Sequence, residues 1–198
     1  TDARDPPPRL KRYLSAQDGL AGQTCFGLVL ADQDGSPDMV YNLGGQNGAL
    51  CTDMADTTEP AQLRQAFRAA ETVSVNGEYP ASHTETLPQD RLATVVQPPV
   101  GISRQQLASG ERVIVGIGLN YREHREGTGA EDHTGLSPGE VLVFPKVVAP
   151  TGAYTPVHAG TKIGSNPARP VRLLDYEAEL GMVLLEDLDL TKPPPDYR

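Results

Sequence analysis

Asp175, Glu177 and Glu179 alternate with Tyr176, Ala178 and Leu180 in the segment LLDYEAELGMVLL, residues 173–185. A period of two puts these carboxylates on one face of a strand and the apolar groups on the other. Glu177 and Glu179 would then stand side by side, their Cα atoms about 6.5 to 7 Å apart. Carboxylates that close can reach one ion, but they cannot both stay ionised and unpaired in a dry interior. A hard divalent cation resolves that conflict, and a half-solvated strand with an acidic outer face avoids it. At the level of this motif both readings stand.

A second group of titratable side chains follows the apolar run at 113–117: Asn120, Tyr121, Glu123, His124 and Glu126. Polar residues gathered just past a strand end lie where binding and catalytic groups are commonly built. A histidine next to a carboxylate can act as a general base; the alternative is the mixed-charge start of a surface helix. The glycines at 116 and 118 let the backbone pass close to something else. They do not make a dinucleotide loop, because position 121 is Tyr where the third glycine is required, and no Gly-Lys-Ser/Thr follows. Lys146 closes the short run at 141–144 after Pro145, either as a solvated ammonium or as a charge aimed at an anionic ligand.

The elements that must position these groups can be read from periodicity and turn chemistry. After a Pro-rich, charged tail at 1–8, strands are expected at 10–14, 25–30 and 39–43, forming a small antiparallel module. A helix is expected at 59–70, with Pro60 in its first turn and Leu63, Ala66, Phe67 and Ala70 on one stripe that packs on the sheet. Residues 71–86 carry little periodicity and read as loop. The stretch at 87–97 ends in a short apolar run, and a short helix capped by Ser103 covers 102–109. A buried strand at 113–117 opens a second module that runs from 111 to 198. In it 128–140 is a loop, 141–144 a strand, 147–172 a connection with edge pairing at 154–157, and 173–185 the acidic strand. The small N-terminal α+β domain thus spans 9–110.

The 198 residues, 38% of them hydrophobic, can build an ordinary core. A net charge of -9 without any stripe of Lys and Arg argues against a nucleic-acid surface, since phosphate contacts need clustered cations. Neither a run of membrane-spanning length nor the apolar core of a signal peptide is visible, so the expectation is a soluble protein without a membrane partner. That reading favours the cytoplasm, with a mitochondrial location also compatible. Cys25 and Cys51 show no metal-ligand or disulfide-framework spacing and read as free thiols.

Three blocks, VGIGLNYREH, VFPK and LLDYEAELGMVLL, occur in this order over residues 113–185. Their order resembles the fumarylacetoacetate hydrolase family, in particular its acylpyruvase and oxaloacetate decarboxylase-like branch. There a glycine-containing strand runs into Asn-Tyr-x-x-His, a later strand ends in Phe-x-Lys, and a third carries Asp-Tyr-Glu-x-Glu-Leu. Leu10-Lys11-Arg12-Tyr13 is similar to the start of that family's small leading domain. The resemblance implies an α+β, mainly β chain, with a mixed β-sandwich roll as its catalytic domain. It implies Mg2+ or Mn2+, with Ca2+ also admissible, held by Glu177 and Glu179 as two of three carboxylate ligands. Carboxylate oxygens are the donors that hard cations favour.

The same resemblance implies a 2-oxo acid or 1,3-diketone as substrate, cleavage of a C–C bond through an enolate, and a homodimer. His124 matches the family's base, Lys146 lies near the site, and Asn120 and Tyr121 contact substrate. The family's dyad glutamate lies three residues after the histidine, where this chain has Gly127, so Glu126 takes the role here. The third carboxylate belongs to an Asn-Asp-x-x-x-Arg-Asp block downstream of the acidic strand. The chain ends at Arg198 before such a block, and Asp187 and Asp189 follow the strand too closely to replace it. The expectation is therefore the front part of the roll. A decarboxylase or isomerase of the same fold, or a non-catalytic binding descendant, are the alternative functions.

Overall fold

The computed structural model describes residues 8–31, 38–45, 50–53, 57–118, 142–157, 179–185 and 191. They belong to two compact units, one made of Thr1–Pro99 with Thr151–Arg198 and the other of Val100–Pro150. The architecture is mixed α+β and all strand pairing is antiparallel.

The first unit is built on a five-stranded sheet. Strands β1 (Leu10–Leu14), β2 (Thr24–Ala31), β3 (Met39–Asn42) and β5 (Thr84–Thr86) lie in the order β1-β2-β3-β5, and the two-residue β4 (Cys51–Thr52) pairs with β2. The expected strands at 10–14, 25–30 and 39–43 are thus present to within a residue at each end. β2 reads as a near-continuous apolar run because both of its faces are covered: Cys25, Phe26 and Leu28 are all buried. One sheet face carries Tyr13, Cys25, Val40 and Cys51, which pack with Leu87, Leu92, Val95 and Val96. Leu92 and Val95 come from the short helix α2 (Leu92–Val95), and Val96 bridges to Tyr13 to hold this layer on the sheet.

Helix α1 (Pro60–Asn76) packs against β1 and the 3-10 turn at Leu43–Gly45. Pro60 sits in its first turn, where a missing N–H costs nothing, and Glu59 and Gln62 form a capping box. Leu63, Ala66, Ala70 and Val73 are its buried stripe, spaced three and four apart. The helix runs six residues past the expected end at 70 and stops at Gly77, whose φ of 66° is the left-handed conformation that glycine tolerates. The residues expected as loop to 86 therefore include the last turns of α1, a 3-10 turn at Ala81–His83 and strand β5. Val73 lies three residues after Ala70 and continues the buried stripe, so the same periodicity carries the helix past 70.

Cys25 and Cys51 are bonded as a disulfide rather than free. The antiparallel register of β2 and β4 sets them directly opposite one another, with Cα atoms 4.1 Å apart. Their spacing of 26 residues carries no hint of that pairing, which the sheet creates. Residues 154–157, expected at a strand edge, belong to no strand of the described structure.

The second unit holds α3 (Arg104–Ser109), capped by Ser103 as expected, and a ribbon of β6 (Ile114–Gly118) and β7 (Leu142–Lys146). Ser103 accepts from the Gln106 N–H while the Gln106 side chain accepts from the Ser103 N–H. β7 includes Pro145 and Lys146, two residues more than expected. β6 was expected to be buried, yet Val115 and Ile117 are 54% and 45% exposed, because the described ribbon has only two strands.

Gly27 marks the tightest approach in the first sheet. A Cβ there would lie 2.8 Å from Tyr13 Cε1 and 2.9 Å from Val40 Cβ, so the Tyr13 ring needs the bare backbone. Gly27→Ala is expected to lose about 1–3 kcal/mol through overpacking, read as a lower urea midpoint with an unchanged slope.

Candidate functional site

Of the residues singled out by sequence, Asn120, Tyr121, His124, Glu126 and Glu177 lie outside the described residues, as does the 128–140 loop. Lys146 and Glu179 are described. Lys146 ends β7 and pairs with Ile114, whereas Gly118, from which the chain runs on towards 120, pairs with Leu142 at the other end of the ribbon. The antiparallel register thus sets Lys146 at the start of β6 and not at its exit. Its stem folds back over Gly116, where an added Cβ would meet Lys146 Cε at 2.9 Å and Phe144 Cζ at 2.7 Å. The close approach expected at Gly116 is therefore the Phe144 ring and the lysine stem. The ammonium lies 5.9 Å from the Phe144 ring centre, within cation–π range.

Glu179 is exposed and opens the described stretch 179–185. This stretch belongs to no strand of the described structure, and Leu180 and Met182 are 91% and 84% exposed. The strand expected at 173–185 is therefore not formed over 179–185, and among the described residues no ladder partner pairs with this stretch. An Arg64 guanidinium of α1 donates to the Leu185 carbonyl at the end of the stretch. Among the described residues no group of three or more His, Cys, Asp or Glu could hold a metal ion.

Sequence reading missed the densest polar cluster in the described structure, which surrounds Glu85 in β5. Its Oε1 accepts from the Tyr13 hydroxyl at 2.6 Å, the Ser15 hydroxyl at 2.7 Å and Asn42 Nδ2 at 3.0 Å. Oε2 accepts from the Ala16 N–H at 2.8 Å. Three donors converge on Oε1 and one holds Oε2, so Glu85 is a brace joining β1, β3 and β5. Burial first, and then the hydrogen bond to Glu85, push the Tyr13 phenol far above its ordinary range. Nothing in the sequence around Thr84-Glu85-Thr86 separates this glutamate from a surface one, because its partners come from distant segments.

A second cluster holds the 151–157 segment on the sheet. Asp38 Oδ2 accepts from Lys11 Nζ and from the Tyr154 hydroxyl, both at 2.9 Å, and the Lys11 ammonium lies 5.4 Å from the Tyr154 ring centre. Gly152 sits so close to the Val96 carbonyl that a Cβ would fall 2.2 Å from it. Burial alone would raise the Asp38 pKa, but the bonds from Lys11 and Tyr154 and the charges of Lys11 and Arg9 outweigh it and hold it below 3.8. The Tyr154 phenol is raised, first by its bond to Asp38 and then by burial.

Comparison of the chain with family models, curated proteins and solved structures finds no match. Among the described residues no helix is long and apolar enough to cross a membrane.

Each cluster predicts a distinct stability signature. Glu85→Ala leaves the buried Tyr13 hydroxyl without its Glu85 acceptor, while Asn42 Nδ2 keeps Gln17 Oε1 at 3.2 Å. The expected loss is about 1–3 kcal/mol, measured by chemical denaturation. Asp38 has a depressed folded-state pKa, so its contribution is complete at neutral pH and is lost as pH falls below 3.8 through the folded value. Thermal scans of the wild type and Asp38→Asn should therefore differ at pH 7 and converge in acid.

Proposed function

We propose that this chain is a metal-dependent hydrolase of the fumarylacetoacetate hydrolase type that cleaves a C–C bond in a 2-oxo acid or 1,3-diketone. The reading rests on one resemblance: three motif blocks, each carrying titratable residues, follow one another over residues 113–185 in an order like that family's and at plausible spacing. The small antiparallel N-terminal domain and the β6–β7 ribbon belong, in this reading, to a leading domain and a mixed β-sandwich roll. The protein would act as a cytoplasmic homodimer.

Glu177 and Glu179 would hold Mg2+ or Mn2+, whose charge supplies Lewis-acid stabilisation of the enolate that develops as the bond breaks. His124, oriented by Glu126, takes the proton of the attacking water and returns it to the departing carbon. Asn120 and Tyr121 orient the substrate through hydrogen bonds. Lys146 offers a positive charge to an anionic substrate group. Glu179 is the ligand whose described surroundings are solvent-exposed, so this reading requires the 173–185 segment to pair as a strand when the site assembles.

A second reading, decarboxylation or isomerisation without a water nucleophile, is favoured by the position of Glu126. It lies two residues after His124, and two residues along a helix point away from each other, so the dyad needs loop geometry.

Calorimetric titration with Mg2+ and Mn2+, followed by acylpyruvate and oxaloacetate turnover, decides between them. Hydrolysis that requires metal is expected, with Glu177→Ala and Glu179→Ala weakening metal affinity. His124→Ala should lower hydrolysis about 10²–10⁴-fold while metal affinity holds. Decarboxylation without hydrolysis selects the second reading, and failure to bind either metal removes both.

A further inference from the structure

We propose that three consecutive residues of β1, Lys11, Arg12 and Tyr13, anchor both chain connections between the two units at one place on the first sheet, so that the two connections loosen and tighten together. The inference is independent of the proposed chemistry. It rests on where the chain leaves the first unit, where it returns, and what holds it at both points.

The chain leaves the first unit after Pro99 and re-enters it at Thr151. The leaving segment is held by β1 through backbone and side chain alike. Val96 bridges to Tyr13, the Gln97 N–H donates to the Arg12 carbonyl at 2.8 Å, and Arg12 Nη1 donates to the Pro98 carbonyl at 2.8 Å. Arg12 is 2% exposed, and its guanidinium lies 5.8 Å from the Phe26 ring centre. A cation that deep depends on protein acceptors, because water does not reach it to replace them. Its Nη2 donates to the Thr57 carbonyl at 3.3 Å, which ties the same side chain to the approach to α1.

The re-entering segment comes down on the same spot. Gly152 is buried against the carbonyl of Val96, the residue that bridges to Tyr13. Two residues on, the Tyr154 hydroxyl donates to Asp38, which also accepts from the Lys11 ammonium of β1. The Thr155 N–H turns back to the Gly152 carbonyl at 3.0 Å and closes this stretch into a turn. All of these contacts lie within the first unit.

Arg12 and Tyr13 thus grip the leaving segment, Lys11 grips the re-entering one through Asp38, and the two segments touch each other at Val96 and Gly152. A close-packed backbone contact of this kind does not yield on one side alone. Pro98 and Pro99 stand at one connection and Pro150 at the other, and each fixes its own φ. Stiff segments pass a displacement along rather than absorb it. A shift of the re-entering segment therefore reaches the leaving one through Val96, and the reverse holds equally.

Native-state hydrogen exchange read by NMR on the whole chain tests this coupling. Gly152→Ala sets a methyl group 2.2 Å from the Val96 carbonyl unless the segment moves, and Tyr154→Phe removes the bond to Asp38. Both act from the re-entering segment, and both are expected to speed exchange of the Gln97 amide about tenfold or more while the β2–β3 amides keep their wild-type rates. In the other direction, Arg12→Met removes the bond to Pro98 and should speed the Thr155 amide to a similar extent. If Arg12→Met does not fold, the first two variants decide alone. A Gln97 amide unchanged in both of them overturns the proposal, as does an equal acceleration across β2 and β3, which would mark a general loss of stability.

Discussion

The half-buried carboxylate of Glu85 is the interaction on which the first unit depends. Strand β5 contributes only three residues to the sheet, yet through Glu85 it reaches Tyr13 and Ser15 at the end of β1, with β3 and β2 between them in strand order. Its carboxylate is met by four donors fixed by the sheet and by the chain after β1. In return, those donors hold the Tyr13 ring over the bare backbone of Gly27 and hold Asn42 beside Cys51. The brace, the aromatic packing and the disulfide are thus one connected arrangement, which is why small residues recur in it at 27 and 44.

Much of that framework was legible in the sequence. Strands β1 to β3, α1 with its Pro60 start, and the Ser103 cap each follow from rules acting within about ten residues. What escaped was long-range. Cys25 meets Cys51 only because β4 folds back onto β2, and Glu85 looks like any glutamate between threonines until Tyr13 and Asn42 arrive from elsewhere. The end of α1 was missed for a different reason: Val73 keeps the stripe's spacing three residues after Ala70, but Glu71, Thr72 and Ser74 around it dilute the pattern. The candidate site was legible as chemistry and order of residues, while its geometry depends on pairing that local rules do not specify.

The β6–β7 ribbon shows how far register matters. Antiparallel pairing places Lys146 opposite Ile114, so the end of β7 and the exit of β6 lie at opposite ends of one short ribbon. The four steps from Ile114 to Gly118 span about 13 Å, more than an extended lysine side chain covers. For Lys146 to serve substrate held by residues after 118, its side chain must run along the ribbon, as its packing over Gly116 begins to do, and the segment after β6 must turn back over the same face.

A similar constraint bears on the carboxylates. Two glutamates two residues apart repel when both are ionised, and solvent screening at an exposed position such as Glu179 relieves that repulsion without a cation. Moving the same pair against a sheet removes the screening, and the cation then becomes the partner that makes burial tolerable. Strand pairing at 173–185 and metal binding would therefore be coupled, each lowering the free-energy cost of the other.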